Sequence, residues 1–517
     1  MPIKKIPLVM YALILFLSLQ VSSQTSVLPR SNPEAEGVSS KMILNFLTAV
    51  GQSNHEFHSI MILRHGKVIT EGWWNPYRPN LKHTMYSVSK SFTATAVGFA
   101  VSEKRMSVND KIISFCPTDL PETISPYLAE LRVKDLLSMS VGQDPDPTGN
   151  VISKDSNWVK SFLALPILNK PGSKFLYNSL ATYMLSAIVQ KVTGQKVFDY
   201  LRPRLFQPLG IVDIDWEKDP KGINTGGWGL RIKTEDLAKF GQLFLQKGKW
   251  KGRQVLPDAW IEEATSLKIE QTPELSQASK DSSDWRQGYC YQMWRSRHNS
   301  YRGDGAFGQY ILVLPEQDAV IAITAETGDM QGELNLVWDY LLPAFKKEKV
   351  PVNKNEAIAL KQKLSLLSLP KAAPVTDSFL AVPSLDLTYL LGPNEKKLKS
   401  VRITINGNNS TIIFKDDTAT YKLNLGTDTW KFSETTRRGP SLVSTAKNHF
   451  SGLPATKVAG LYSWKDLTTL EILLRYIESP HTEKITCHFD GDKMTMETQI
   501  SFNPKANIPV LNGEISK

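Results

Sequence analysis

The stretch Tyr86-Ser87-Val88-Ser89-Lys90-Ser91-Phe92, continuing as Thr93-Ala94-Thr95-Ala96-Val97-Gly98-Phe99-Ala100, constrains this chain more than any other. It reads as a buried helix, and a buried helix needs further layers of structure around it. Lys90 follows Ser87 by three residues, so on a helix the two share a face with amine near hydroxyl. A serine hydroxyl is a weak nucleophile until a neighbouring base takes its proton, and a desolvated lysine can be that base. Unpaired N–H groups at a helix start also favour a developing oxyanion. Ser87 therefore reads as a nucleophile and Lys90 as its base. The same spacing at Ser368/Lys371 and Ser444/Lys447 lacks a helix start that would make it useful.

Two further elements follow in order. Tyr177-Asn178-Ser179 precedes a second buried helix that ends near Val192-Thr193-Gly194. A phenol beside an ammonium is drawn toward phenolate, so Tyr177 would relay a proton to or from a leaving group. Gly303-Asp304-Gly305-Ala306-Phe307-Gly308-Gln309 then leads into the strand Gln309 to Pro315. Glycines at a strand edge admit close approach of substrate backbone, and an N–H near Gly305, Ala306 and Phe307 would be the second oxyanion donor.

Around these motifs the chain divides into four parts. In residues 1–23, Lys4 and Lys5 precede the apolar run Ile6 to Val21, with small residues before Gln24. That pattern predicts a signal peptide and an exported, periplasmic or extracellular, chain with no membrane span after its removal. Residues 24–345 begin with a helix over Lys41 to Val50 and a hairpin turning at His65-Gly66. They end with strands over Gly288 to Arg295, Gln309 to Pro315 and Ala319 to Thr324, then a helix over Gly332 to Phe345. Helices lie between, which predicts one domain: an antiparallel sheet drawn from both ends of the segment, flanked by helices. Residues 346–399 read as a charged linker with one helix, Glu356 to Leu367. Residues 400–517 show β-type alternation, with Asp490-Gly491 as a hairpin signal, and predict a separate antiparallel β domain. Its role is open between dimer contact, cleft lid and ligand binding, and oligomeric state is not legible.

The formal charge of +10 falls to +8 without Lys4 and Lys5, and the basic residues are scattered, which argues against nucleic acid as a partner. Three distant cysteines (Cys116, Cys290 and Cys487) have no zinc-type spacing and permit at most one bridge. Of eight histidines only His55 and His58 are close, with no HExxH context, so neither metal nor organic cofactor is expected.

Taken jointly, Tyr86-Ser87-Val88-Ser89-Lys90-Ser91-Phe92-Thr93, Val133-Lys134-Asp135-Leu136-Leu137-Ser138-Met139, Pro171 to Ser179 and Gly305-Ala306-Phe307-Gly308-Gln309 resemble the serine β-lactamase/penicillin-binding protein superfamily. The likeness covers about residues 33–345 and is greatest to the class C-like branch of esterases, β-lactamases, D-amino-acid peptidases and 6-aminohexanoate-oligomer hydrolases. It implies an α/β part beside an all-helical lobe, with the site between them. It also implies Ser87 as acyl acceptor, Lys90 as base partner and Tyr177 as acid/base at the leaving group.

Two departures matter. Ser179 stands where members that hydrolyse β-lactams usually carry Asn, and Gly303-Asp304 stands where they carry Lys or His before Gly. An acidic residue there would repel the carboxylate of penicillins and D-Ala-D-Ala peptides. The expectation is thus a secreted serine hydrolase of small esters or amides acting through an acyl-enzyme. The alternatives are a β-lactamase or penicillin-binding D-amino-acid peptidase, and a non-catalytic envelope-binding protein on the same scaffold.

Overall fold

A six-stranded antiparallel sheet is assembled from two distant parts of the chain. The computed structural model describes residues 27–371, 384–504 and 509–516, so the expected signal peptide lies outside the described residues. From the front come β1 (Glu56–Arg64) and β2 (Lys67–Trp73), joined at His65 and Gly66, whose φ values of 48° and 72° make the tight hairpin turn. From the back come β3 (Trp294–Ser296), β4 (Ser300–Gly305), β5 (Gln309–Leu314) and β6 (Ala319–Glu326). The order is β2-β1-β6-β5-β4-β3, with β1 against β6 antiparallel, as expected of a sheet drawn from both ends. β5 and almost all of β6 are buried on both faces, which is why they read as continuous apolar runs.

Helices close both faces. On one side α1 (Ser40–Gln52), N-capped by the Ser39 hydroxyl, packs Ile43, Phe46, Leu47 and Val50 onto the sheet. On the other lie α2 (Ser89–Ser102), α3 (Ser179–Thr193) and α4 (Thr234–Leu245), in a core with Phe92, Val97, Tyr183 and Phe240. Fully burying each such side chain contributes about 1.5–3 kcal/mol. The last helix of this region, α5 (Met330–Leu336), continues as a π turn through Leu341.

Two expectations need correction. The strand expected over Gly288 to Arg295 is formed only as Trp294–Ser296. The buried amide of Gln292, at φ 59°, donates to the carbonyls of Leu136 and Leu137 and folds the preceding residues into a loop. Ser300–Gly305, where no strand is expected, forms strand β4. The expected linker helix is α6 (Lys354–Ser365). Leu364 and Leu367, at and just past its end, sit against Gly72 on β2, so this segment is docked onto the sheet.

The C-terminal strands are β7 (Leu385–Leu391), β8 (Ser400–Ile405), β9 (Ser410–Lys415), β10 (Thr420–Leu425), β11 (Lys431–Thr435), β12 (Thr456–Trp464), β13 (Thr469–Tyr476), β14 (Thr482–Asp490), β15 (Lys493–Ile500) and β16 (Leu511–Ile515). They pair antiparallel in the order β10-β9-β8-β7-β16-β15-β14-β13-β12-β11. The sheet thus takes in β7, ahead of residue 400 where alternation becomes legible. Alternate residues such as Val401, Ile403, Ile412, Phe414, Ile472 and Ile485 fill its interior. Its ends meet where the Asn424 amide donates to the Phe432 carbonyl at 3.0 Å, and Tyr462 N–H donates to the Gly426 carbonyl at 2.8 Å. The domain is therefore nearly barrel-shaped. Its surface is not free of the first domain: Trp430, Ala459, Leu461 and Ile477 join the core behind the six-stranded sheet. The three cysteines are buried free thiols.

Candidate active site

Ser87 sits in a 3-10 turn, Tyr86–Val88, and α2 proper starts at Ser89, two residues later than the sequence suggests. Lys90, in the first turn of α2, is fully buried, whereas Ser87 is only half-buried and reachable. The Lys90 amine lies 3.0 Å from Ser87 Oγ, 3.0 Å from Ser179 Oγ and 2.8 Å from the Gly227 carbonyl oxygen. The carbonyl can only accept a hydrogen bond, so it fixes one N–H and turns the rest of the amine toward the two hydroxyls. Burial lowers the Lys90 pKa to about 7, against the opposing pull of Asp146 and Asp304.

Ser179, the first residue of α3, thus touches Lys90 directly, and the Asn178 side chain before it caps the helix. Gly227 is a residue that spacing and motif do not bring to the site, because its part is played by a backbone carbonyl. A Cβ on Gly227 would stand 2.8 Å from the Ser179 carbonyl, so a side chain would push this loop away from Lys90. The loop is tied to α2 by Thr93, whose hydroxyl donates to the Gly226 carbonyl, and by Leu230 N–H donating to Ser89 Oγ.

The half-buried Tyr177 ring lies over the Lys90 amine, 4.8 Å from ring centroid to Nζ, and stacks on Trp294 at 5.5 Å. Tyr289, Phe175 and Trp285 extend this aromatic wall. Burial pushes the Tyr177 phenol well above its usual range, and the Ser87 hydroxyl only moderates the rise. A phenol raised in this way is suited to giving up its proton to a leaving group rather than to acting as a phenolate.

β4 crosses close against the nucleophile's turn. A Cβ on Gly305 would meet the Met85 carbonyl oxygen at 2.2 Å, and one on Gly303 the Ser91 hydroxyl at 3.2 Å. Only glycine at 305 lets the strand pass this close to the residues just before Ser87. Phe307 follows in the left-handed region, φ 66°.

Asp304 does not stand alone, as the sequence suggested. The fully buried guanidinium of Arg302 lies 2.9 Å from its carboxylate, and Trp285 stacks on that guanidinium at 4.4 Å. Burial raises the Asp304 carboxyl to about 6 even with Arg302 pulling it down. The pair offers substrate neither a net negative nor a free positive charge. Among the described residues no group of three or more His, Cys, Asp or Glu is arranged to hold a metal ion.

The Beta-lactamase family model matches residues 54–342, more than half of the chain. The chain belongs to the Beta-lactamase family. The family makes the chain a hydrolase of the β-lactamase fold. Over 281 residues it is 26% identical to the 6-aminohexanoate-dimer hydrolase of Paenarthrobacter ureafaciens, covering 51% of this chain and 71% of that one. Among solved structures, the octameric penicillin-binding protein homologue from Pyrococcus abyssi is 15% identical with a TM-score of 0.48, covering 91% of this chain and 99% of its own. EstCE1, a hydrolase with promiscuous acyltransferase activity, is 17% identical with a TM-score of 0.48, covering 57% and 97% respectively. Among the described residues, no helix of this β-lactamase-family chain is long and apolar enough to cross a membrane.

Proposed function

We propose that this chain is an exported serine hydrolase that cleaves an ester or amide through an acyl-enzyme on Ser87. The observation that carries the reading is a buried lysine, poised at about 7, within 3.0 Å of a reachable serine hydroxyl. In the mechanism the neutral Lys90 amine takes the Ser87 proton as Oγ attacks the carbonyl carbon. The N–H groups of Ser87 and Ala306 stabilise the oxyanion. As the intermediate collapses, the Tyr177 phenol gives its proton to the departing alcohol or amine and regains one from Lys90. Water then enters with Lys90 as base, attacks the acyl carbon and restores Ser87 as the proton returns to Oγ.

The neutralised Arg302/Asp304 pair and the aromatic wall favour an uncharged or apolar acyl group over a substrate that needs a cation for its carboxylate. Export rests on Lys4, Lys5 and the apolar run to Val21. A panel of p-nitrophenyl esters, short-chain anilides and nitrocefin, run on wild type and Ser87→Ala, tests the reading. Turnover of an ester or anilide that the variant lacks supports it. Turnover of nitrocefin alone would establish the penicillin-recognising alternative instead.

A further inference from the structure

We propose that His481, on the C-terminal barrel, is a positioning residue that holds both halves of the oxyanion hole, so that the acyl-transfer site is complete only with the barrel docked. The inference rests on the acyl-enzyme reading and assigns the barrel a part in it.

The residues flanking the two oxyanion donors are both held in unusual backbone. Tyr86, just before Ser87, has φ 45°, and Phe307, just after Ala306, has φ 66°. Neither is glycine, and side-chain-bearing residues stay in the left-handed region only where their surroundings over-determine them. One imidazole touches both. His481 Nε2 lies 2.5 Å from the Tyr86 phenol oxygen, and the His481 ring meets Phe307 edge to face at 4.9 Å between centroids. Tyr86 and Phe307 also pack on each other at 5.7 Å.

The hydrogen bonds fix how His481 is held. Its Nδ1 lies 2.6 Å from Glu326 Oε1, at the end of β6, and the Ser501 hydroxyl donates to the same oxygen. A carboxylate can only accept, so Nδ1 carries the proton and Nε2 is left to accept from Tyr86. The Tyr86 phenol is free to donate because its oxygen accepts the Leu442 N–H at 3.2 Å. Burial holds this phenol protonated, well above its usual range. Phe502 closes the cluster, 4.3 Å from His481 and 5.3 Å from Phe307. His481, Leu442, Ser501 and Phe502 all belong to the barrel, whereas Tyr86, Phe307 and Glu326 belong to the hydrolase domain. His481 itself is completely buried, so it acts through its neighbours and touches no substrate.

Adjacent domains need not share a side chain that braces the nucleophile's own turn. Here the Glu326–His481–Tyr86 chain ends one residue from Ser87, and the Phe307 contact ends one residue from Ala306. Loss of the imidazole should free Tyr86 and Phe307 to relax, and misplace both N–H donors without emptying the acyl site.

The experiment uses the full chain with a fluorophosphonate probe and p-nitrophenyl butyrate, on wild type, His481→Ala, His481→Gln, Tyr86→Phe and the His481→Ala/Tyr86→Phe pair. The expected result for His481→Ala is a fall in kcat and in the labelling rate of Ser87 of about 100-fold, the scale of one lost oxyanion donor, with KM changed less than threefold. His481→Gln, which keeps an acceptor for Tyr86, recovers at least tenfold, and the double variant is no slower than His481→Ala. Labelling of His481→Ala within threefold of wild type, a rise in KM with kcat unchanged, or additive losses in the double variant would overturn the inference. If His481→Ala does not fold, Tyr86→Phe alone decides: a tenfold or greater fall in kcat at constant KM supports the clamp, and an unchanged kcat overturns it. A wild-type chain that takes no label overturns the acyl-enzyme reading itself, and the clamp with it.

Discussion

The amine of Lys90 lies 3.0 Å from the hydroxyl oxygen of Ser87, yet the amine is sealed from solvent while the hydroxyl is open to it. That asymmetry strips the lysine of hydration, which disfavours its charged form, and leaves the nucleophile accessible to substrate. Its consequences for pH, for the neighbouring residues and for stability are each measurable.

Because burial lowers Lys90 to about 7, the neutral base becomes populated as pH rises through that value. The rate of Ser87 labelling should climb through about pH 7 and level off above it. Lys90→Met should lower the rate by about 10²–10⁴-fold, the usual worth of a general base. The stability effect has the opposite sense. A lysine pKa depressed in the fold makes folding shed a proton, a cost absent above about 10.5 and fully present below about 7. The stability of Lys90→Met relative to wild type should therefore increase as pH falls from about 10 to 7 and stay constant below. A labelling rate flat from pH 5.5 to 9 would contradict the assignment.

Tyr177 is held as a phenol and so is suited to donate to a leaving group. Tyr177→Phe should cost an anilide, whose leaving amine must be protonated, at least about 100-fold in kcat. It should cost a p-nitrophenyl ester, whose leaving group departs unaided, less than about tenfold. Equal losses on both substrates would point to a role in orienting Lys90 instead.

Gly305→Ala puts a methyl group 2.2 Å from the Met85 carbonyl oxygen, so backbone must move. The shift should carry Ala306 away from Ser87 and lower kcat by about 100-fold, with a loss of about 1–3 kcal/mol in stability. Steady-state kinetics and urea denaturation read the two effects separately.

Asp304→Ala leaves the Arg302 guanidinium buried beside an empty space. Removing one member of a buried ion pair costs about 3–5 kcal/mol. The contacts of Arg302 with the Asp284 carbonyl and the Ser296 hydroxyl place the expectation at the low end. A shift in the urea midpoint worth less than about 1 kcal/mol would show that the pair is not coupled as its geometry implies.

What the sequence makes legible follows the range of the interaction. Ser87, Lys90 and the turn and helix that carry them are encoded within a few residues of one another, so spacing finds them. The β1–β2 hairpin is legible as two β-type runs around His65-Gly66, whereas Gly305, read as admitting substrate backbone, is needed by the chain's own crossing at Met85. Strand β4 escaped because Tyr301-Arg302-Gly303-Asp304-Gly305 has neither alternation nor β-branched residues, and it is a strand by virtue of pairing with β5. The pairing of Arg302 with Asp304 escaped because spacing alone does not say that both side chains are buried together. His481 lies 395 residues from Tyr86, a separation over which no periodicity connects them. Its neighbours, Ser479 and Pro480, look like an ordinary turn.

The central claim is that Ser87 is an activated nucleophile, and intact-mass labelling with a fluorophosphonate tests it most directly. On wild type and Ser87→Ala, followed by peptide mapping, the account predicts one adduct on Ser87 that the variant lacks. An adduct elsewhere, or none on a folded wild-type chain, would contradict it.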